Sequence, residues 1–310
     1  YLGGKFLNIT AMKTFYICGV EQYRCGKMEN EFENALQALL NFEYTGAESA
    51  EKYNELFRTM VTASMKICGE TDYNALVNQK IEAAEKKYGL KMEASGETDP
   101  YKKLRELVRF EMARDALLAG REYEVCCTES NFAMAVLKFR SDIEKLVPES
   151  QKEALDSMAY SLYSDFTNFF VCASFDMVAD AKIYEMKEFR PLQINAMGKE
   201  IRTSVNVMAK QNGKPQKSET VTKWFHTMMV LPAFLFKKLY AVSMVEMMAV
   251  PQKLADDAAH MFKGFDAILA NFAAADEYKV LQNFLKELQL ENCFTVRPKA
   301  QKGDPKIVVN

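Results

Sequence analysis

The chain is poor in the residues that interrupt helices. Thirteen Gly and eight Pro in 310 residues are too few for the many tight turns of a sandwich or barrel, which disfavours an all-β fold. Histidine is scarcer still, with only His226 and His260. Neither His-Glu-x-x-His nor Glu-x-x-His occurs, so a zinc-protease or ferritin-like di-iron centre lacks its ligand set. The seven cysteines are odd in number, irregularly spaced and free of any Cys-x-x-Cys. That pattern speaks against a disulfide framework and for a reducing, intracellular setting, the cytoplasm.

Long apolar runs are missing too. The strongest, WFHTMMVLPAFLF at 224–236, stops at Lys237 and Lys238 after thirteen residues, short of the roughly 20 that a membrane span needs. A buried helix is expected there, and no membrane partner. The opening YLGGKFLNIT has neither the basic start nor the apolar centre of a leader, and it lacks an initiator Met. The expectation is therefore a sequence that starts inside a longer product. There is no G-x-x-x-x-G-K-[ST], no G-x-S-x-G and no glycine-rich dinucleotide fingerprint, so phosphate-loop, serine-hydrolase and Rossmann chemistry have no local support and no cofactor is implied.

What is present is helical periodicity. Phe32, Leu36, Leu39 and Leu40 follow a three-four spacing, as do Tyr53, Leu56, Met60 and Met65. Thr71 and Asp72 start a helix that Gly89 stops, and Asp99 followed by Pro100 is a cap with proline at the first helical position. Leu155, Met158, Leu162, Phe166, Phe169, Phe170, Ala173 and Met177 form a long apolar stripe. Further helices are expected over 192–210, 218–249, with Pro232 able to kink it, and 252–274, with a last one after Asp276. The prediction is an all-α, bundle-like and two-lobed fold. Its parts are an extended arm at 1–27, helical lobes at 28–148 and 149–292, and a second extended arm at 293–310.

Charge supplies the functional reading. The net charge of −2 advertises no polyanionic partner, but its distribution is uneven. Residues 190–223 carry Arg190, Lys199, Arg202, Lys210, Lys214, Lys217 and Lys223 against Glu200 and Glu219, and 294–310 carries four cations against one acid. Two basic segments thus stand in a chain that is otherwise acidic. The loop KQNGKPQKS does not meet the requirements of a nucleotide-binding loop, and Ser218 reads as the cap of the helix that follows.

The expectation is a non-enzymatic, self-assembling protein that coats RNA or another single-stranded nucleic acid. Those seven cations would neutralise phosphates, with Trp224 as a stacking partner, and the terminal arms would join copies into a homo-oligomer. One alternative is a helical scaffold that binds another protein through a Met- and Phe-rich groove. Another is an enzyme whose site assembles in space near His226 or His260.

Overall fold

The computed structural model describes residues 26–43, 45, 47–92, 96–120, 123–126, 129–144, 148–211, 219–247, 250–269, 277–287 and 290–298. The fold is all-α and bundle-like. A first helix, α1, covers 26–40. It is followed by α2 (Ala47–Glu70), α3 (Tyr73–Tyr88), α4 (Pro100–Leu118), a short strand β1 (Tyr123–Cys126) and α5 (Glu129–Glu144). A 3-10 turn at Glu149–Ala154 leads into α6 (Leu155–Glu185), and a second at Lys187–Phe189 leads into α7 (Arg190–Gln211). The chain continues through α8 (Glu219–Tyr240), α9 (Met244–Met247), α10 (Gln252–Leu269), α11 (Glu277–Glu287) and β2 (Thr295–Pro298).

Local chemistry sets several of these boundaries. The Asp72 carboxylate accepts from the Ala75 N–H at 3.0 Å, and α3 ends on Gly89 at φ 65°, a left-handed conformation that glycine adopts without a Cβ clash. Asp99 accepts from the Tyr101 and Lys102 N–H groups ahead of Pro100. Where the helices break, tyrosine hydroxyls take up carbonyls that have no intrahelical partner. Tyr53 donates to the Ala241 carbonyl at 2.8 Å, Tyr73 to Glu188 at 3.2 Å and Tyr163 to Cys293 at 2.7 Å.

Packing joins distant parts of the chain. Helix α2 lies on α7, α4 and α5 on α6, α7 on α8, and α8 on α10. A single hydrophobic core runs from Met28 and Phe32 through Tyr101, Phe139, Val178 and Phe236 to Phe294, so its members come from both sides of residue 148.

The structure departs from the sequence reading in four places. Leu40, Met65 and Met158 belong to the expected apolar stripes, yet they are 39%, 63% and 39% exposed. The buried positions of α2 are Met60, Ala63, Ser64 and Ile67, a stripe that turns Met65 outward. The helix expected over 218–249 runs through Pro232 but stops at Tyr240, because Ala241 takes φ 56°. A strand, which the expected all-helical first lobe did not include, interrupts it at Tyr123–Cys126, with Glu124 in register with Arg297.

The fourth departure concerns the terminal segments. Cys293 and Phe294 are buried, Phe294 stacks on Tyr163 at 4.6 Å, and Thr295–Pro298 pairs antiparallel with β1 of its own chain. The described start of the expected C-terminal arm is therefore packed on its own subunit. Residues 26 and 27, placed at the end of the N-terminal arm, already belong to α1. Residues 1–25 and 299–310 lie outside the described residues.

Candidate nucleic-acid interface

Helix α7 carries most of the described part of the basic segment, and its two faces have opposite tasks. Ile194, Met197 and Ile201 are buried, whereas Lys199, Arg202, Thr203 and Asn206 are exposed. These exposed positions share one helical face at three-four spacing. Eleven residues are almost three whole turns, so Lys210 returns to the angular position of Lys199, about 16 Å further along. The Thr203 hydroxyl donates to the Lys199 carbonyl at 2.9 Å, and the Arg202 Nε to the Gly198 carbonyl at 3.0 Å. Neither Lys199 nor Arg202 has an acidic partner among the described residues.

Arg190 does not belong to that face. Nine residues separate it from Lys199, which is half a turn out of phase on an α-helix. It is 8% exposed, and its guanidinium meets Glu33 at 2.9 Å. Its Nε donates to the Tyr184 carbonyl at 2.8 Å, while the guanidinium lies over the Tyr184 ring. The residue expected to open a phosphate track instead ties α1 and the end of α6 to the start of α7.

Lys223 and Trp224 sit in the second turn of α8, and α8 packs on α7. Lys214 and Lys217 lie outside the described residues, as do the side chains of Lys210, Lys223 and Trp224.

The sequence reading missed the polar network that holds α7 in place. Arg105 on α4 meets Asp180 of α6 at 2.8 Å and Glu200 of α7 at 3.0 Å. One turn along each helix, Arg109 meets Asp176 at 3.2 Å. The Tyr101 hydroxyl donates to Asp180 at 2.6 Å, the Gln193 amide donates to the Asp180 carbonyl, and the Tyr240 hydroxyl donates to Gln193. Burial pushes the Asp180 carboxyl upward against the pull of Arg105, and it raises Asp176 against Arg105 and Arg109. Burial opposes the charge on Arg105, yet Asp180, Tyr101 and Glu200 together outweigh it and raise its pKa. The signal was in the sequence as matched i,i+4 pairs, Arg105/Arg109 and Asp176/Asp180.

No protein-family model, curated protein or solved structure matches this chain. The residues themselves must therefore carry the functional reading.

Their other chemistry is sparse. His260 is exposed on α10, one turn after Asp256, whose carboxylate accepts from Gln252 at 2.8 Å. His226 lies in α8 with its side chain outside the described residues. Among the described residues there is no group of three or more His, Cys, Asp or Glu that could hold a metal. An open groove of about 870 Å³ is lined by Glu31, Lys52, Glu55, Arg58 and Thr59 and contains neither His nor Cys. No described helix is long and apolar enough to cross a membrane.

Proposed function

We propose that this chain is a non-enzymatic assembly protein that coats single-stranded nucleic acid, in the manner of a nucleocapsid subunit. The observation that carries the reading is the outer face of α7. Lys199 and Arg202 lie exposed there without acidic partners among the described residues, and Lys210 follows at helical spacing. Many cations elsewhere in the described structure are matched to acids, including Arg105, Arg109, Arg140 and Arg190. Two exposed, unmatched cations on one helical face, with Thr203 and Asn206 beside them, suit a phosphate backbone, because they neutralise charge without reading bases.

The coating surface comprises Lys199, Arg202, Lys210, Lys214, Lys217 and Lys223, with Trp224 available for stacking. Arg190 positions α7 from behind. The free thiols of Cys68 and Cys293 fit a reducing compartment such as the cytoplasm.

The test is size-exclusion chromatography with light scattering, following absorbance at 260 and 280 nm on protein prepared at low salt. Coating predicts a large species with a raised 260/280 ratio that collapses at high salt, because backbone binding releases counterions. A species with no nucleic acid at low salt, and no affinity for added single-stranded RNA, would overturn the reading.

A further inference from the structure

The outer face of α7 holds more than cations. Thr203 stands four residues after Lys199, and Asn206 lies midway between Arg202 and Lys210, four residues from each. At that spacing both share the strip that the cations line. What each can offer a ligand is set by the bonds it already makes. The Thr203 hydroxyl commits its one proton to the Lys199 carbonyl at 2.9 Å, which leaves it only oxygen lone pairs to present to solvent. The Arg202 Nε is engaged in the same way by the Gly198 carbonyl at 3.0 Å, and the two terminal amino groups of its guanidinium remain as donors. Asn206 is exposed with no hydrogen-bond partner among the described residues, and its carboxamide offers both donors and an acceptor.

A phosphate oxygen only accepts, so it cannot bond to the Thr203 oxygen, and two acceptors set face to face repel. Thr203 calls for a donor. The donor that a nucleic-acid backbone carries between successive phosphates is the ribose 2′-hydroxyl, which deoxyribose lacks. We infer that Thr203 and Asn206 hold ribose 2′-hydroxyls, so that this face selects RNA over DNA. The inference rests on the reading of α7 as a phosphate track and names the strand that the track takes. Lys199 and Arg202 hold phosphates, and Thr203 accepts the 2′-hydroxyl proton. The Asn206 carboxamide, about one turn on, meets a 2′-hydroxyl as donor or acceptor. Neither contact reads a base, so the preference for RNA is compatible with coating any sequence.

The affinity of the full chain for three short strands of one base tests the inference. These are oligouridine, its deoxyuridine counterpart and its 2′-O-methyl counterpart, which has no proton at that oxygen. The wild type should bind oligouridine about 10-fold more tightly than the deoxy strand, the size expected of one or two net hydrogen bonds. The 2′-O-methyl strand should lose most of that advantage. Thr203→Val and Asn206→Ala should each weaken RNA binding by about 5-fold and leave binding of the deoxy strand unchanged. Neither removes a cation, so the slope of log affinity against log salt should stay that of the wild type. Thr203→Ser keeps the hydroxyl and should keep the preference. Thermal melts confirm that each variant folds. Equal binding of the RNA and deoxy strands would overturn the inference and leave the coating reading standing. An RNA preference that survives both substitutions, or a 2′-O-methyl strand held as tightly as RNA, would do the same. Failure to bind any strand at low salt would overturn the coating reading and the inference with it.

Discussion

Asp176 and Asp180 stand one turn apart on α6, both facing arginines of α4, and burial raises both carboxyls above the ordinary range. A carboxyl with a raised folded pKa favours the folded state while it is protonated. That contribution is complete below the unfolded pKa and disappears as pH climbs through the folded value. Asp176→Asn fixes the neutral form, so it removes this pH dependence whatever constant offset the lost Arg109 contact introduces. The variant should therefore gain stability relative to the wild type as pH rises from about 3.5 to about 7, the window that begins at ordinary carboxylate ionisation. Urea midpoints of both proteins across that range read it directly. A difference that is constant, or that shrinks with pH, would show that the arginines and not burial dominate at Asp176.

At the scale of elements, what was legible was what is local. The Asp72 and Asp99 caps, the Gly89 stop and Pro100 all act within one turn of their own backbone, and the structure has each where the sequence placed it. The end of α8 was not legible, because an Ala enters the left-handed region there and the Tyr53 hydroxyl holds its carbonyl from 188 residues away. Strand β1 was invisible for the same reason. Its partner β2 arrives some 170 residues later, and two four-residue strands leave little periodicity to read. Ala241 offers a test of the strain. An L-residue in this conformation costs about 1–2 kcal/mol relative to glycine. Ala241→Gly should thus be neutral or stabilising by up to about 1 kcal/mol, although it deletes a half-buried methyl. Ala83→Gly, at an exposed interior position of α3, should cost about 1 kcal/mol. Equal losses for the two variants in urea denaturation would mean that Ala241 is unstrained.

For the whole molecule, the question is which cations face outward. Composition located the basic segment, but a count of charges treats Arg190 and Lys199 alike. Helical phase separates them, since nine residues reverse the face and eleven restore it. The two roles give opposite readouts. Arg190→Ala leaves Glu33 without its buried partner, where the two side chains are 10% and 29% exposed, and should cost about 3 kcal/mol of stability. Lys199→Ala with Arg202→Ala removes two exposed cations, and its melting temperature should stay close to that of the wild type. On a short labelled single-stranded RNA, the double variant should bind more weakly at low salt. The slope of log affinity against log salt should fall by about 1.4, or about 0.7 for each lost phosphate contact. Weaker binding with an unchanged slope would mean that these two residues do not touch phosphates. Unchanged binding would move the track off α7, to the basic segment at 294–310, where Lys299, Lys302 and Lys306 are the next cations to substitute.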